Sequence, residues 1–166
     1  MLSIINVGRP RAGKTTKAKE ILNKVISNGR KSDIIIYDVN NEYSNYYDKP
    51  FLTFDEFSKS LKGVKNKIIL IEESTIFFST KSTDKIIQEL LVRRRHENNT
   101  IILNFHSFAS VPKYIFDLLN YVIVFKTNDT EETIKSKTNN PKLMSAFKEV
   151  RDNSNLHFNK TFNFYS

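Results

Sequence analysis

Gly8 to Thr15 reads Gly-Arg-Pro-Arg-Ala-Gly-Lys-Thr, a complete G-x-x-x-x-G-K-[ST] phosphate loop. Such a loop turns its backbone N–H groups inward around a polyphosphate. Its lysine, here Lys14, reaches the β- and γ-phosphates, and its hydroxyl, here Thr15, holds Mg²⁺. The helix that follows adds the positive end of its dipole. Gly8, Arg9, Pro10, Arg11, Ala12, Gly13, Lys14, Thr15 and Thr16 are therefore the expected nucleotide-binding residues, with ATP and Mg²⁺ as the cofactors. An ordinary tight strand-to-helix turn with an exposed lysine would carry the same letters without the chemistry. The flanks favour the functional reading. Leu2 to Val7 is a short apolar strand candidate, and Thr15 to Ser27 places Ala18, Ile21, Leu22 and Val25 at helical spacing before Gly29. The chain has only 4 glycines, and two of them occupy the motif positions.

A second set of groups suits the other half of a phosphoryl reaction. Ile68 to Ile71 is apolar and ends in Glu72-Glu73. Acids at the C-terminal end of a buried strand, facing a phosphate loop, can hold Mg²⁺ and activate water. Glu72 is assigned to the metal with Thr15, and Glu73 to the water, although Asp is commoner than Glu at the metal position. Two surface acids on a solvated strand end are the alternative. Leu103-Asn104-Phe105-His106-Ser107 ends another apolar run. There Asn104 fits a γ-phosphate sensor, with His106 as second choice; a cap on the following turn would use Asn104 equally well. Asp38, Asn40 and Glu42 could line the pocket or a subunit contact, or serve only as turn residues.

Of the 26 basic residues only 7 are Arg, and five of these are Arg9, Arg11 and Arg93-Arg94-Arg95. Arginine suits bidentate phosphate contact. The helix expected over Thr83 to His96 runs ~16 Å from Thr83 to Arg94, away from its own subunit's phosphates. Three roles are open to the triplet: a finger acting in trans on a neighbour's nucleotide, a nucleic-acid contact, or a cationic helix end. Arg94 shares the stripe of Ile87, Leu90 and Leu91, a placement that a surface-only triplet would not need; which of the three is the finger stays open, and the expected catalytic set is Lys14, Glu73, Arg94 and Asn104.

The elements that must position these groups alternate strand and helix. Strands are predicted over Leu2–Val7, Ile34–Val39, Lys67–Glu72, Thr100–Phe105 and Tyr121–Phe125. Helices are predicted over Asp55–Leu61 under a Thr53 or Asp55 cap, Thr83–His96, Pro112–Asn120 and Pro141–Arg151. Continuous β-branched runs imply strands covered on both faces, hence an α/β fold with a mainly parallel sheet of about five core strands and helices on both faces. Leu156 to Phe164 could add an edge strand. The 166 residues suit one domain, with a core over about 1–130 and an accessory C-terminal helix and strand over 131–166.

The composition is 39% hydrophobic and 27% charged, that of a globular chain rather than a disordered one. No apolar run approaches the ~18–20 residues that span a bilayer, and Met1-Leu2-Ser3 lacks the basic start of a signal peptide. With 0 Cys there is no disulfide or thiolate metal site, and the 3 His lack ligand spacing. A net charge of +8 suits a polyanionic partner, mainly nucleic acid or an acidic membrane surface, or simply a solvated basic surface.

Together, Gly8–Thr15, Asp38-Val39-Asn40-Asn41-Glu42-Tyr43, Ile71-Glu72-Glu73, Arg94-Arg95-His96-Glu97-Asn98 leading into Ile101 to Pro112, and Val122 to Asp129 resemble the genome-packaging ATPases of the FtsK–HerA superfamily found in membrane-containing icosahedral viruses. Relatives often carry Gln where Asn104 stands and Asp where Glu72 stands. The resemblance implies a RecA-like P-loop fold with an additional strand beside the catalytic-Glu strand. It also implies a homo-oligomeric ring at a capsid vertex that drives DNA inward by hydrolysing ATP. The setting would be the host cytoplasm or the virion. A small-molecule or nucleoside kinase is the alternative, but no lid insert is visible and Glu73 suits water better than an acceptor. A filamentous-phage assembly ATPase would usually carry a membrane segment, and a non-enzymatic nucleotide switch would not need Glu73.

Overall fold

Five β-branched runs set the frame, and the computed structural model, which describes residues 1–47, 49–79 and 81–164, shows where they pair. The strands are β1 (Ser3–Val7), β2 (Ile34–Tyr37), β3 (Ile68–Ile71), β4 (Thr100–Phe105), β5 (Tyr121–Val124) and β6 (Lys160–Asn163). They form one sheet in the order β2-β3-β4-β1-β5-β6, parallel throughout except for the antiparallel pair β5–β6. Strand β4 thus lies between β1, which leads into the phosphate loop, and β3, which ends in the two acids. The edge strand expected near the C-terminus is β6, shorter than the run that suggested it.

The helices are α1 (Lys14–Ser27), α2 (Phe54–Ser60), α3 (Lys81–Arg93), α4 (Lys113–Leu118), α5 (Glu131–Lys137) and α6 (Pro141–Asp152). Side chains alternate across each strand, so the two faces bury separate cores. Ala18 and Leu22 of α1 cover Ile4, Ile36, Leu70, Ile102 and Ile123 on one face. Phe57 of α2, Ile87 and Leu91 of α3, Phe116 of α4, Ile134 of α5 and Phe147 of α6 cover Ile5, Ile69, Leu103 and Val124 on the other. Helices therefore lie on both faces, with α1 carrying one of them. No helix of the described residues is long and apolar enough to cross a membrane.

Capping fixes several ends. The Thr53 side chain accepts from Glu56 N–H, and Asn140 accepts from Lys142 and Leu143 N–H ahead of Pro141. Helix α5 was not foreseen. It is 7 residues long, too short for a periodic signature, and is announced only by the Thr130 cap and by Glu131 and Glu132 in its first turn. Helix α3 stops at Arg93 rather than His96. Asn99 closes its end: its N–H reaches Arg94 O at 2.8 Å, and its side chain donates to Val64 O and accepts from Lys67 N–H. A side chain that satisfies neighbouring backbone in this way competes with a further helical turn.

One close approach joins the sheet to the loop. A Cβ at Gly8 would lie 2.5 Å from Phe125 Cβ and 3.0 Å from Lys126 O. The obstacle is backbone and near-backbone, so it cannot swing aside. Gly8→Ala is expected to destabilise the protein by about 1–3 kcal/mol, read as a lower urea midpoint at unchanged slope. An unchanged midpoint would mean that β1 and β5 part without cost.

Candidate active site

The loop leaves β1 at Val7 and is pinned from both neighbouring strands. Gly8 N–H donates to Phe105 O at 3.1 Å, and Arg9 N–H donates to Lys126 O at 2.8 Å. Arg11 takes φ 63° and Gly13 φ 101°, so the chain turns left-handed twice before α1 begins at Lys14. That turn wraps the lysine. Lys14 is 6% exposed, and its ammonium donates to Gly8 O at 2.6 Å and Arg9 O at 3.1 Å. Arg9, Pro10, Arg11 and Thr16 are exposed around it, and Ala12 is buried.

Glu72 extends the ladder, with its N–H on Tyr37 O at 3.0 Å, and its side chain turns to the α1 face. It is 3% exposed, and its carboxylate accepts from Tyr43 OH at 2.8 Å and from the Asn104 amide. The Asn104 carbonyl in turn accepts from Asn6 Nδ2 at 2.7 Å, across the register that pairs these residues in β1 and β4. A buried polar chain Asn6–Asn104–Glu72–Tyr43 therefore runs beneath the loop. Burial pushes the Glu72 carboxyl above its ordinary pKa, against the hydrogen bonds from Tyr43 and Asn104 that favour its charge. Burial likewise raises the Tyr43 phenol, which stays protonated and donating. Burial also lowers the Lys14 ammonium, while Glu72, Glu73 and Glu42 act to keep it charged.

Glu73 sits at φ 55°, a left-handed turn that aims its side chain differently from Glu72. Its carboxylate meets His106 Nε2, and Asn40 Nδ2 approaches it at 3.5 Å. The other ring nitrogen of His106, Nδ1, lies 3.4 Å from Lys14 Nζ. Lys14, His106 and Glu73 thus stand in a row at the C-terminal ends of β1, β4 and β3. The two sensor candidates part here. Asn104 is 1% exposed and held within the polar chain under the loop, where its amide donates to Glu72. His106 lies past the strand end and faces both Lys14 and Glu73.

Glu42 was underrated by the sequence. Asp38 accepts from the N–H groups of Glu42 and Tyr43, at 2.9 and 2.7 Å, which is the turn chemistry its position suggested. The same turn delivers Glu42 to Thr15, whose hydroxyl donates to the carboxylate at 3.0 Å. Thr15 and Glu42 offer paired hard oxygens, with Glu72 behind them, and that donor set fits Mg²⁺.

The arginine triplet lies elsewhere. Asn66 N–H bonds Glu97 O, and Lys67 N–H bonds the Asn99 side chain, so residues 94–99 pack against the N-terminal end of β3, opposite the loop. The expectation for Arg94 is corrected: it is 4% exposed and its Nη1 donates to Leu91 O at 2.5 Å, so it braces the end of α3 and does not face a neighbour. Arg93 is exposed and pairs with Glu97 at 2.9 Å, and Arg95 is exposed.

No protein-family model matches the chain, and no curated protein matches it significantly. Solved structures do. B204, the DNA-packaging ATPase from Sulfolobus turreted icosahedral virus, superposes with TM-score 0.77 at 17% identity, over 98% of this chain and 92% of that one. The genome packaging NTPase B204 from Sulfolobus turreted icosahedral virus 2 superposes in complex with AMP (TM-score 0.78, 18% identity, 98% and 92% covered) and with ATP-gammaS (TM-score 0.75, 18% identity, 99% and 92% covered). The fold is thus the α/β, RecA-like P-loop fold of these packaging NTPases.

The buried Glu72 carries a stability signature. Its folded-state pKa is raised, so between the ordinary carboxylate range and the raised value the unfolded chain has released a proton that the folded chain keeps. Stability from this group is full at low pH and is lost as pH rises through that window. Glu72→Gln is expected to raise the thermal midpoint above wild type at pH 8, with the gap closing near pH 4. Equal gaps at both pH values would contradict a costly buried carboxylate.

Proposed function

We propose that the chain is an ATP hydrolase and the motor subunit of a viral genome-packaging machine. The observation that carries the reading is the row Lys14–His106–Glu73 above a complete phosphate loop, with β4 inserted between the loop strand and the acid strand. The fold likeness to packaging NTPases solved with AMP and ATP-gammaS supports it.

The geometry implies a division of labour. Backbone N–H groups of Gly8–Thr15 receive the phosphates, and the Lys14 ammonium moves from the Gly8 and Arg9 carbonyls to the terminal phosphate. Thr15 and Glu42, backed by Glu72, would hold Mg²⁺, which supplies neutralising charge to the phosphate oxygens when bound. Glu73 accepts a proton from the attacking water. The water oxygen bonds the γ-phosphorus, the bond to the bridging oxygen breaks, and ADP leaves with inorganic phosphate as the second product. His106 orients Glu73 and, lying against Lys14, senses whether the ammonium has moved to a phosphate. The buried chain of Asn6, Asn104 and Tyr43 holds Glu72 and so fixes the end of β3.

Motion of nucleic acid, with DNA as the expected substrate, is the reading that the +8 charge and the fold likeness support. Subunits would work in a homo-oligomeric ring at a capsid vertex, in the host cytoplasm or on the virion. A cation supplied in trans falls to Arg95, because Arg94 is buried and Arg93 is paired with Glu97.

Lys14→Ala should abolish ATP binding. Glu73→Gln should keep binding and lower phosphate release by at least ~100-fold, the usual worth of a general base. Wild-type turnover in Glu73→Gln would remove the base, and a phosphorylated acceptor in place of free phosphate would identify a kinase. Mixing Arg95→Ala subunits into wild-type assemblies should lower the rate per wild-type subunit. Full activity in a dilute wild-type monomer would exclude any finger from a neighbour.

A further inference from the structure

The loop has two flanks, and only one is used by the chemistry above. Glu73 follows β3 and His106 follows β4, so the terminal phosphate belongs on that side of β1. On the other side of β1 the sheet continues into β5 and β6. There a cleft of about 270 Å³ opens between the start of α1 and the segment leading into β6, lined by Gly13, Thr16, Lys17, Glu20, His157 and Asn159. Its size lies just below the range of small-ligand pockets, ~300–1,000 Å³.

The far wall is built and held. His157 Nδ1 comes within 3.6 Å of where a Gly13 Cβ would stand, which puts the imidazole at van der Waals distance from the loop. Two successive asparagine turns shape the segment: Asn155 N–H donates to Asn153 Oδ1 at 2.8 Å, and His157 N–H donates to Asn155 Oδ1 at 2.9 Å. The segment is tied to the loop through one residue. Lys126 accepts Arg9 N–H on its carbonyl, and its ammonium donates to Arg151 O at 2.7 Å and to Asn153 O. Asn159 Nδ2 donates to His157 O at 3.3 Å, which leaves its carbonyl oxygen and second N–H for a partner.

A triphosphate whose terminal phosphate lies at Lys14 and Glu73 must leave the loop by the opposite flank, past Gly13 and Thr16. We propose that the cleft between α1 and residues 153–159 takes the nucleoside end of the triphosphate, with the base stacked on the His157 ring and the Asn159 amide reading its polar edge. The inference rests on the nucleotide-binding reading of the loop and deepens it. The strand β6 and its approach thereby become part of the nucleotide site rather than an appendage. The His157 side chain is exposed, and its hydrogen bonds within the segment are made by its backbone N–H and carbonyl, so its replacement keeps them.

Calorimetric titration of the full chain with ATP and with inorganic tripolyphosphate, each with Mg²⁺, separates the two halves. Wild type should bind ATP more tightly than tripolyphosphate. His157→Ala should weaken ATP by roughly 5- to 10-fold, the worth of one base stack, and leave tripolyphosphate unchanged; His157→Phe should restore ATP. Equal wild-type affinity for the two ligands, or equal weakening of both in His157→Ala, would overturn the proposal and leave the loop reading standing. Failure of wild type to bind either ligand would overturn both.

Discussion

An ammonium group nearly sealed from water is the constraint on which the rest of the structure turns. Lys14 is held by two loop carbonyls, and three carboxylates keep it charged against the cost of burial. A cation in so dry a place interacts more strongly with a phosphate than it would at the surface. The same dryness raises the Glu72 carboxyl, which survives there because Tyr43 and Asn104 both donate to it. Charges of both signs are thus stored beneath one bend of backbone, at a standing cost in stability that an apolar site would avoid.

The sheet order makes the arrangement possible. With β4 between β1 and β3, the acids stand one strand away from the loop, and the gap is bridged by groups carried on β4 itself. One of these, Asn104, lies below the surface and fixes Glu72. The other, His106, lies above it and meets Glu73. Strand alternation assigns the two tasks: residue 104 still points to the α1 face, whereas residue 106 has left the ladder. The antiparallel β6 closes the far edge, and the turn before it comes to rest against the start of α1.

Much of this was legible in the residues. The strands were, because a strand covered on both faces is a near-continuous apolar run rich in β-branched residues, and β4 agrees residue for residue with the run Thr100–Phe105. The loop and the paired acids were legible because their spacing is set by chemistry. What escaped reading depended on where a strand ends. A shift of two residues exchanges a buried amide for a partly buried imidazole at the strand end, and no periodicity marks that boundary. Asn6 was a missed signal: a polar residue in an apolar strand two positions before Gly8 needs a buried partner, and it has one in Asn104. Arg94 was read correctly as lying on the apolar stripe, but that position buries it, which is the opposite of what a finger requires. Glu42 was hidden because the turn that presents it looks like any Asp/Asn-rich turn.

A crystal structure of the chain with Mg²⁺ and a non-hydrolysable ATP analogue tests the central claim most directly. The account predicts that Lys14 Nζ leaves the Gly8 and Arg9 carbonyls for the terminal phosphate, while a Glu73 carboxylate oxygen stands within hydrogen-bond reach of a water in line with the γ-phosphorus. An analogue bound away from the Gly8–Thr15 bend, or a Glu73 turned away from the terminal phosphate with no water between them, would contradict it.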